Sequence, residues 1–529
     1  MNFGAVSDLV VRELPCDVRM VRGKVEVTQK NIYHTPTPLM HYRRDLIYHA
    51  SCQCNILAAI KYRLQRPMNP RASDKGLTRF KEAVSWFRDQ LRDQAPIALT
   101  LKQALQRCPP AKKALYLQAY ESLLLEPISR RDARIHCFVK ADKCDILGDN
   151  PEKLIKPRMI SKRTPRYTLK LSRYAQPLEK CVARVKSPIT GTRYSVKGLD
   201  QYQRGDLLVL KMSYFHDVVV VGVDASSYDT SFSPKHKAAL DTVYSVYDDR
   251  ELAQMLDWRM SNKVTTDYGV SFTLAGQIQS GDRDTALYGS IGMISHVRAA
   301  MAPLMREYDV MNDGDDCLII FSKSAIPQGY QLFLEQLKNN LAEQNISASP
   351  ELQYTPESPY VENLDFCRSH FVEYAPGKIR SVPRVRRAMA RLGSSHFAYR
   401  SGDWRKRLTS AIIGDLYVFS GMPVIQPAVL KIQELFGKGK VDKMLSFSYK
   451  AKLLAKNRRP AAAPITPLTR ASFAIAFNMP VGEQLFIERQ IANWKVGDFE
   501  RRMSTTQDIV NGIIPSLHDL GEYDHYKIA

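Results

Sequence analysis

The most constraining feature of this chain is a short segment, residues 309–321, in which two carboxylates follow a glycine and precede an apolar run. An Asn-Asp-Gly turn between two strand-like segments predicts a β-hairpin. A hairpin tip can present Asp315 and Asp316 to a cleft while its strands stay buried. Taken alone, a Gly-Asp-Asp triplet is equally typical of an ordinary turn.

A third carboxylate follows directly after a predicted strand. Residues 218–223 are valines around a single glycine, and such a uniformly apolar strand predicts burial on both faces. Asp224 stands at its end. Nucleotidyl transfer by two metal ions needs carboxylates from more than one element, with the ions about 3.5–4 Å apart. Asp224 and Asp315 can supply that pair if folding brings them together.

Between these carboxylates lies a glycine-containing loop, residues 280–284, which leads into a helix-like stretch that ends at about Met301. Such a loop can flex beside a bound nucleotide, although Ser-Gly is also common turn chemistry. The order of the three features along the chain is what favours a nucleotide-handling site.

The three features resemble the palm motifs A, B and C of viral RNA-dependent RNA polymerases, in the same order. The matching residues are Asp224 and Asp229, then Ser280, Gly281 and Thr285, then Gly314, Asp315 and Asp316. Residues 138–143, 156–167 and 171–174 resemble fingertip motif F of tombusvirus-like and carmovirus-like polymerases of positive-strand RNA viruses. Residues 196–199, 365–368 and 470–477 resemble further elements of those proteins.

The resemblance implies an α+β right-hand fold with fingers, palm and thumb, in which an antiparallel palm sheet packs on helices and the thumb is mainly helical. It implies an N-terminal extension with part of the fingers over 1–130 and fingers with motif F over 131–217. The palm, with a fingers-side insertion, would cover 218–375, and the thumb and C-terminal region 376–529. The spacing of apolar residues also predicts helices at 77–91, 99–125 and 235–256.

The resemblance further implies template-directed nucleotidyl transfer with two Mg²⁺ ions, or with Mn²⁺ in their place. The residues implied as catalytic and metal-binding are Asp224, Asp315 and Asp316. Those implied as nucleotide-binding are Asp229, Ser280, Thr285, Arg158, Arg163 and Lys143. Those implied as RNA-binding are Lys140, Lys156, Arg166 and Gly281.

The cations of motif F have a physical meaning apart from the resemblance. Pro157 and Pro165 stiffen a densely basic segment, and guanidinium groups there can bind phosphate oxygens through two parallel hydrogen bonds. Arg158 and Arg163 are therefore expected to hold the triphosphate. A solvated basic face, or a general RNA-binding strip, is the alternative interpretation.

One position departs from the family pattern. Four residues after Thr285 the family usually has asparagine, whose amide helps to recognise the ribose, and this chain has Gly289. Ser290 or a shifted helix register are alternatives for the missing amide, and action of Asp229 with Ser280 alone is another. Discrimination against deoxyribonucleotides is expected to depend mainly on Asp229.

The composition agrees with an RNA-binding enzyme but also with other functions. The formal net charge is +22 at pH 7 and 44% of the 529 residues are hydrophobic, so the chain can bury several cores and bind a polyanion. A non-catalytic RNA-packaging protein would share this charge, but it needs no carboxylates at strand ends. A reverse transcriptase is disfavoured by Asp229 and by Asn312 to Asp316 in place of Tyr-x-Asp-Asp.

Cysteine usage indicates a reducing compartment, because the nine cysteines are scattered and none forms a Cys-x-x-Cys pair. His49, Cys52 and Cys54 lie close in sequence but lack a matching second pair, so core packing is favoured over zinc. Cys317 and Cys367 are predicted to pack within strands.

The expected partners are a single-stranded RNA template, the nascent RNA, ribonucleoside triphosphates, and viral or host replication factors. No stretch of 18 apolar residues exists, so membrane contact is expected to be peripheral or through a partner. The resemblance implies host cytoplasm, at membrane-associated replication sites.

Overall fold

The computed structural model describes residues 53–64, 67–140, 157–392, 404–439 and 461–499, together with five two-residue strands outside these ranges. The described chain combines α-helices with mainly antiparallel sheets. The mixed α and β content predicted from the sequence is thereby confirmed.

The helices and strands are numbered in chain order. The helices are α1 (Gln53–Ala59), α2 (Asp74–Arg92), α3 (Leu101–Gln106), α4 (Lys113–Leu125), α5 (Pro165–Val182), α6 (Gln201–Met212), α7 (Pro234–Asp241), α8 (Arg250–Trp258), α9 (Thr285–Met301), α10 (Tyr330–Glu343), α11 (Val385–Arg391), α12 (Trp404–Val418), α13 (Ile425–Phe436), α14 (Pro467–Phe477) and α15 (Val481–Ala492). The strands are β1 (Arg19–Met20), β2 (Tyr33–His34), β3 (Leu46–Ile47), β4 (Ile135–Val139), β5 (Cys144–Asp145), β6 (Met159–Lys162), β7 (Val218–Ala225), β8 (Ser261–Thr266), β9 (Val270–Ala275), β10 (Asp309–Asp313), β11 (Asp316–Ser322), β12 (Ala348–Tyr354), β13 (Asp365–Phe366), β14 (Ser369–Ala375), β15 (Lys378–Pro383) and β16 (Ser394–Ser395).

A four-stranded sheet in the order β10-β11-β7-β12 forms the centre of the fold. Its strand β7 lies between β11 and β12 and is antiparallel to both. Val219 and Val221 are buried in one apolar core, and Val220 is buried in another. The valine run is therefore covered on both faces, as its uniformly apolar character predicts.

Strands β10 and β11 form the predicted hairpin. Asp313 pairs with Asp316, so Gly314 and Asp315 are the two residues of its turn. Gly314 has a φ of 78°, a left-handed conformation that glycine adopts without steric cost. Because β11 also pairs with β7, this turn lies at the same edge of the sheet as the end of β7.

The helix predicted to end near Met301 is α9. Nearly all of its residues from Leu287 onward are buried, because it packs against α2, α10 and the hairpin. A helix packed in this way has little freedom to shift, so the end of the preceding loop, at Thr285, is held in place.

The predicted helix at 77–91 lies within α2, whereas the stretch 99–125 forms two helices. Pro109 and Pro110 lie between α3 and α4 and cannot continue an α-helix, because proline lacks a backbone N–H. The single long helix predicted there is therefore wrong.

The stretch 235–256 is helical but is not one helix. A 3₁₀ helix, Thr242–Tyr247, follows α7, and Asp248 then takes a left-handed conformation with a φ of 43°. Asp249 begins α8 by accepting a hydrogen bond from the backbone N–H of Leu252. Aspartate tolerates both conformations, and so these two residues end one helix and start the next.

The later part of the described chain has a core of its own, formed mainly by α11 to α15. The three-stranded sheet β13-β14-β15 connects this part to the central sheet. Cys317 is buried in β11 as predicted. Cys367 packs against a core as predicted, but the prediction that it lies in a strand is wrong. Cys367 and Arg368 form the turn between β13 and β14, and each has a φ of 56°.

Helix α6 lies directly against strand β15. A β-carbon built on Gly205 would lie 1.9 Å from the carbonyl oxygen of Ile379, so only glycine fits at this crossing. The buried guanidinium of Arg380 donates hydrogen bonds to the Tyr202 hydroxyl, at 2.6 Å, and to the carbonyl of Val418, also at 2.6 Å. Strand β15 thus joins α6 to the end of α12.

A fully buried ion pair lies at the start of the hairpin. The Nζ of Lys211, in α6, is 2.7 Å from Oδ2 of Asp309, the first residue of β10. The hydroxyls of Thr190 and Thr192 donate to the same carboxylate, at 2.6 and 2.9 Å. Burial lowers the pKa of Lys211, and Asp309 opposes that shift. The pair therefore anchors the base of the hairpin to α6.

Some predictions concern residues that the structure does not describe. His49, Cys52 and the side chain of Cys54 are among them. Within the described ranges, no helix combines the length and the apolar character needed to cross a membrane.

Candidate active site

Three carboxylates lie at one edge of the central sheet. Val223 in β7 pairs with Cys317 in β11, so the next residues toward that edge are Asp224 and Asp316. Asp315 follows in the hairpin turn. Asp224 and Asp315 are exposed, and Asp316 is half-buried. The carboxylates predicted as catalytic thus come from two different elements and meet at one place.

Their negative charges act on one another. The pKa of Asp316 is raised to about 6, by burial first and then by the charges of Asp315, Asp313 and Asp224, while Arg368 opposes the rise. Within the described residues, no three His, Cys, Asp or Glu side chains stand in positions that would hold a metal ion. The donor chemistry nevertheless fits a divalent cation, because hard carboxylate oxygens with partly uncompensated charge are its preferred ligands.

The hairpin turn is held from the side of α6. The guanidinium of Arg204 is 2.9 Å from the carboxylate of Asp313, and the Sγ of Cys367 lies 3.7 Å from the same carboxylate. The turn of β13–β14 therefore contacts the β10–β11 hairpin, and Arg368 is within electrostatic reach of Asp316.

The predicted sugar-recognition residues are brought together. Asp229 lies in a 3₁₀ turn after β7, and the Ser280 hydroxyl donates a hydrogen bond to its carboxylate. The pKa of Asp229 is raised, mainly by burial and also by the charge of Asp315. The hydrogen bond from Ser280 and the charges of Arg158 and Arg63 oppose this rise. Asp229 is thus within electrostatic reach of Asp315 and of two arginines, whose guanidinium groups suit a phosphate.

The loop before α9 is tightly packed against motif F. Gly281 has a φ of 122°, and a β-carbon there would lie 2.7 Å from the carbonyl oxygen of Ser161 in β6. The Thr285 hydroxyl donates to the carbonyls of Gln279, at 2.6 Å, and Asp282, at 3.0 Å. Gly281 and Thr285 therefore shape the loop, and their predicted contacts with RNA and nucleotide stay predictions.

Arg163 is buried and makes its contacts within the protein. Its side chain is 1% exposed, and its Nε donates to Asp282 at 2.7 Å. The guanidinium also donates to the carbonyl of Ala133 and lies 5.2 Å from the ring centre of Tyr167. These contacts engage Nε and one terminal nitrogen of Arg163 within the protein, and its contact with the triphosphate stays a prediction.

Arg166 is likewise engaged within the protein. Its guanidinium contacts the carboxylate of Asp132 at 3.1 Å and the Ser122 hydroxyl at 2.5 Å. It also donates to the carbonyls of Glu126 and Pro127, at 3.1 and 2.9 Å. These contacts fasten the start of α5 to α4 and to the segment after it, and the contact of Arg166 with RNA stays a prediction.

Of the other lysines predicted to bind nucleotide or RNA, the structure describes only Lys140. The backbone N–H of Lys140 donates to the carbonyl of Arg158 at 2.7 Å, so motif F doubles back on itself here. Lys143 and Lys156 lie outside the described residues. Their contacts, and that of Lys140 with RNA, stay predictions.

Three cations near the carboxylates were missed by the sequence analysis. Arg63 acts on Asp229, Arg368 acts on Asp316, and Lys197 lies near Asp313 and Asp315. Burial lowers the pKa of Lys197, and its Nζ donates to the carbonyl of Ala286 in the first turn of α9. Lys197 and Arg368 lie in segments 196–199 and 365–368, which resemble polymerase elements. No sequence pattern around Arg63 indicates a role in the site.

The unusual glycine of α9, Gly289, lies beside the turn between β10 and β11. A β-carbon built at Gly289 would lie 3.5 Å from the Cα of Gly314. Two glycines thus allow the helix and the Gly-Asp-Asp turn to approach closely.

Comparison with known proteins agrees with this arrangement. The family described as viral RNA dependent RNA polymerase matches residues 19–498. An RNA-directed RNA polymerase of cucumber necrosis virus is 28% identical over 400 residues, which cover 74% of this chain and 46% of the relative. That of pothos latent virus (isolate Pigeonpea/India) is 27% identical over 446 residues, or 82% of this chain and 56% of the relative.

A third relative, the RNA-directed RNA polymerase of tobacco necrosis virus (strain D), is 26% identical over 432 residues. The chain spans about half the length of the curated relatives it matches. The family match covers most of the chain, including every motif on which the resemblance was based, and the resemblance is confirmed. The chain belongs to the viral RNA-dependent RNA polymerase family.

Proposed function

We propose that this chain catalyses template-directed RNA synthesis from ribonucleoside triphosphates and thereby copies a viral RNA. The observation that carries the proposal is the meeting of Asp224, Asp315 and Asp316 at one sheet edge. Asp229 and Ser280 lie beside them. A protein that only packages RNA would gain nothing from carboxylates there, because they repel phosphate.

The proposal includes a right-hand organisation. Residues 131–217 would form the fingers, 218–375 the palm and 376–529 the thumb, with 1–130 joining the fingers. The central sheet with α9 suits a palm, and the separate helical core after β15 suits a thumb.

Asp224, Asp315 and Asp316 would hold divalent cations, for which Mg²⁺ is proposed. Bound there, such ions would lower the pKa of the 3′ hydroxyl and neutralise charge on the triphosphate. The chain's own part is positioning. Arg158 and Arg63 carry positive charge beside Asp229, where an incoming triphosphate needs it.

The test is incorporation of labelled nucleotide by the purified protein on single-stranded RNA with Mg²⁺, with ribonucleotides compared with deoxyribonucleotides. We expect template-dependent RNA. RNA binding without synthesis, over varied templates and metals, would favour the non-catalytic packaging function. Preference for deoxyribonucleotides would instead indicate a reverse transcriptase.

Replacing Asp229 with alanine is expected to lower both the rate and the sugar selectivity. Hydrogen bonds to a charged group contribute about 1.5–3 kcal/mol, so the ATP to dATP ratio of kcat/KM should fall roughly tenfold to a hundredfold. Asp257→Ala, at an exposed position of α8, should leave the ratio unchanged. An unchanged ratio in Asp229→Ala would remove this residue from sugar recognition.

Replacing Gly289 with asparagine tests the unusual position in α9. Space exists for a β-carbon beside Gly314, and an amide beyond it would reach toward the catalytic turn. One added hydrogen bond to the ribose is worth about 1 kcal/mol, so the ATP to dATP ratio should rise roughly fivefold. Gly289→Ala, which adds no amide, is the matched control. Equal ratios in both variants would mean that the position does not contact the ribose.

A further inference from the structure

The loop that carries Ser280 is held by three successive charged residues. Each of them forms an ion pair with a different part of the chain. The pairs are Asp282 with Arg163 at 2.7 Å, Arg283 with Glu179 at 2.7 Å, and Asp284 with Arg259 at 2.6 Å. The partners lie between β6 and α5, near the end of α5, and just after α8. The loop is thus fixed to motif F and to the helices behind it.

The pair between Arg163 and Asp282 is closest to the residue that contacts Asp229. Both side chains are nearly inaccessible, with exposures of 1% and 6%. A buried pair that loses one partner leaves an uncompensated charge, so the surviving residue has to move or draw in water. The position of Asp282 therefore depends on Arg163.

A short chain of hydrogen bonds connects this pair to Ser280. The backbone N–H of Asp282 donates to the carbonyl of Gln279 at 3.0 Å, which closes a turn around Ser280. The carbonyl of Ser280 accepts from the N–H of Ser161 at 2.7 Å, in the strand just before Arg163. The Ser280 hydroxyl then donates to Asp229. Moving Asp282 would shift Ser280 away from that carboxylate.

We propose that Arg163 is a positioning residue, which acts through Asp282 to hold Ser280 against Asp229 and so sets nucleotide placement and sugar selection. It does this without touching the triphosphate. The inference rests on the proposed function, since selection is measured on nucleotide incorporation. It also predicts the rate of hydrogen–deuterium exchange in the loop, which can be measured without enzymatic activity.

The activity test uses Arg163→Lys, Arg163→Gln, Asp282→Asn and the double variant Arg163→Gln with Asp282→Asn. A misplacement of about 1 Å costs roughly a hundredfold, so each single change should lower kcat/KM for ATP by roughly tenfold to a hundredfold. The ATP to dATP ratio should fall with it. The double variant should be no worse than the worse single variant, because both remove one interaction.

A direct contact between Arg163 and the triphosphate would give a different pattern. Asp282→Asn would then leave the KM for ATP near that of the wild type, and the two effects would multiply in the double variant. Either result would overturn the proposal. Lys170→Gln is the matched control, because Lys170 lies in the same helix, α5, and pairs with Glu251 at 2.8 Å. The Lys170→Gln protein should keep the wild-type ATP to dATP ratio.

Hydrogen–deuterium exchange of the loop provides the second measurement. Peptides over residues 279–288 should exchange faster in Asp282→Asn and Arg163→Lys than in the wild type, while the Lys170→Gln protein should match the wild type. Unchanged exchange would overturn the positioning role even if activity falls. If the wild type makes no RNA, the proposed function fails, and the exchange result still decides whether Arg163 holds the loop.

Discussion

The Asp315→Ala protein is expected to lose nucleotide incorporation while it keeps most of its affinity for RNA. Asp315 lies in the turn between β10 and β11, where it and Asp224 would bind divalent cations. Affinity for RNA comes from many distributed cations, which this change leaves in place. Incorporation of labelled ribonucleotide and filter binding of the same template measure the two properties separately.

Two further variants sharpen this result. Asp315→Asn keeps the size of the side chain but removes its charge. A loss of synthesis equal to that of Asp315→Ala would therefore show that the charge is required. Asp267→Ala removes a largely exposed aspartate in the β8–β9 turn and should retain activity. Near wild-type synthesis by Asp315→Ala would mean that the cation site is wrongly assigned.

The largest expected loss of stability follows from Lys211→Met. This change leaves Asp309 charged and buried, with two threonine hydroxyls and the backbone N–H of Val310 as its partners. Breaking a buried pair on one side costs about 3–5 kcal/mol in the free energy of unfolding. Chemical denaturation of the purified protein would measure that change.

The matched comparison is Lys323→Met, which removes an exposed lysine that pairs with Glu357 and should leave stability unchanged. The double variant Lys211→Met with Asp309→Leu should recover most of the loss, since no buried charge remains. Equal effects of Lys211→Met and Lys323→Met would show that the buried pair does not anchor β10.

Local patterns were sufficient to predict the parts of the site that depend on neighbouring residues. The valine run before Asp224, the turn at Gly314 and the helix that ends at Met301 each carry their signal within one element. That these elements lie side by side could be inferred only through the resemblance. The antiparallel pairing of β7 with β11 joins segments far apart in the sequence, and no local pattern predicts it.

The cations were harder to predict, for a physical reason. A basic segment reveals the number of positive charges but not which carboxylate each will meet. Arg163 and Arg166 have partners 119 and 34 residues away, in Asp282 and Asp132, and no local pattern identifies them. Arg63 was missed because its effect on Asp229 depends entirely on folding.

The contact between α6 and β15 limits how this protein can change shape. With no room for even a methyl group at Gly205, helix and strand cannot slide past each other while they remain packed. Arg380 extends this unit to the end of α12 through its hydrogen bonds. These three elements should therefore move as one rigid body, and any hinge motion during a reaction cycle must be located elsewhere in the chain.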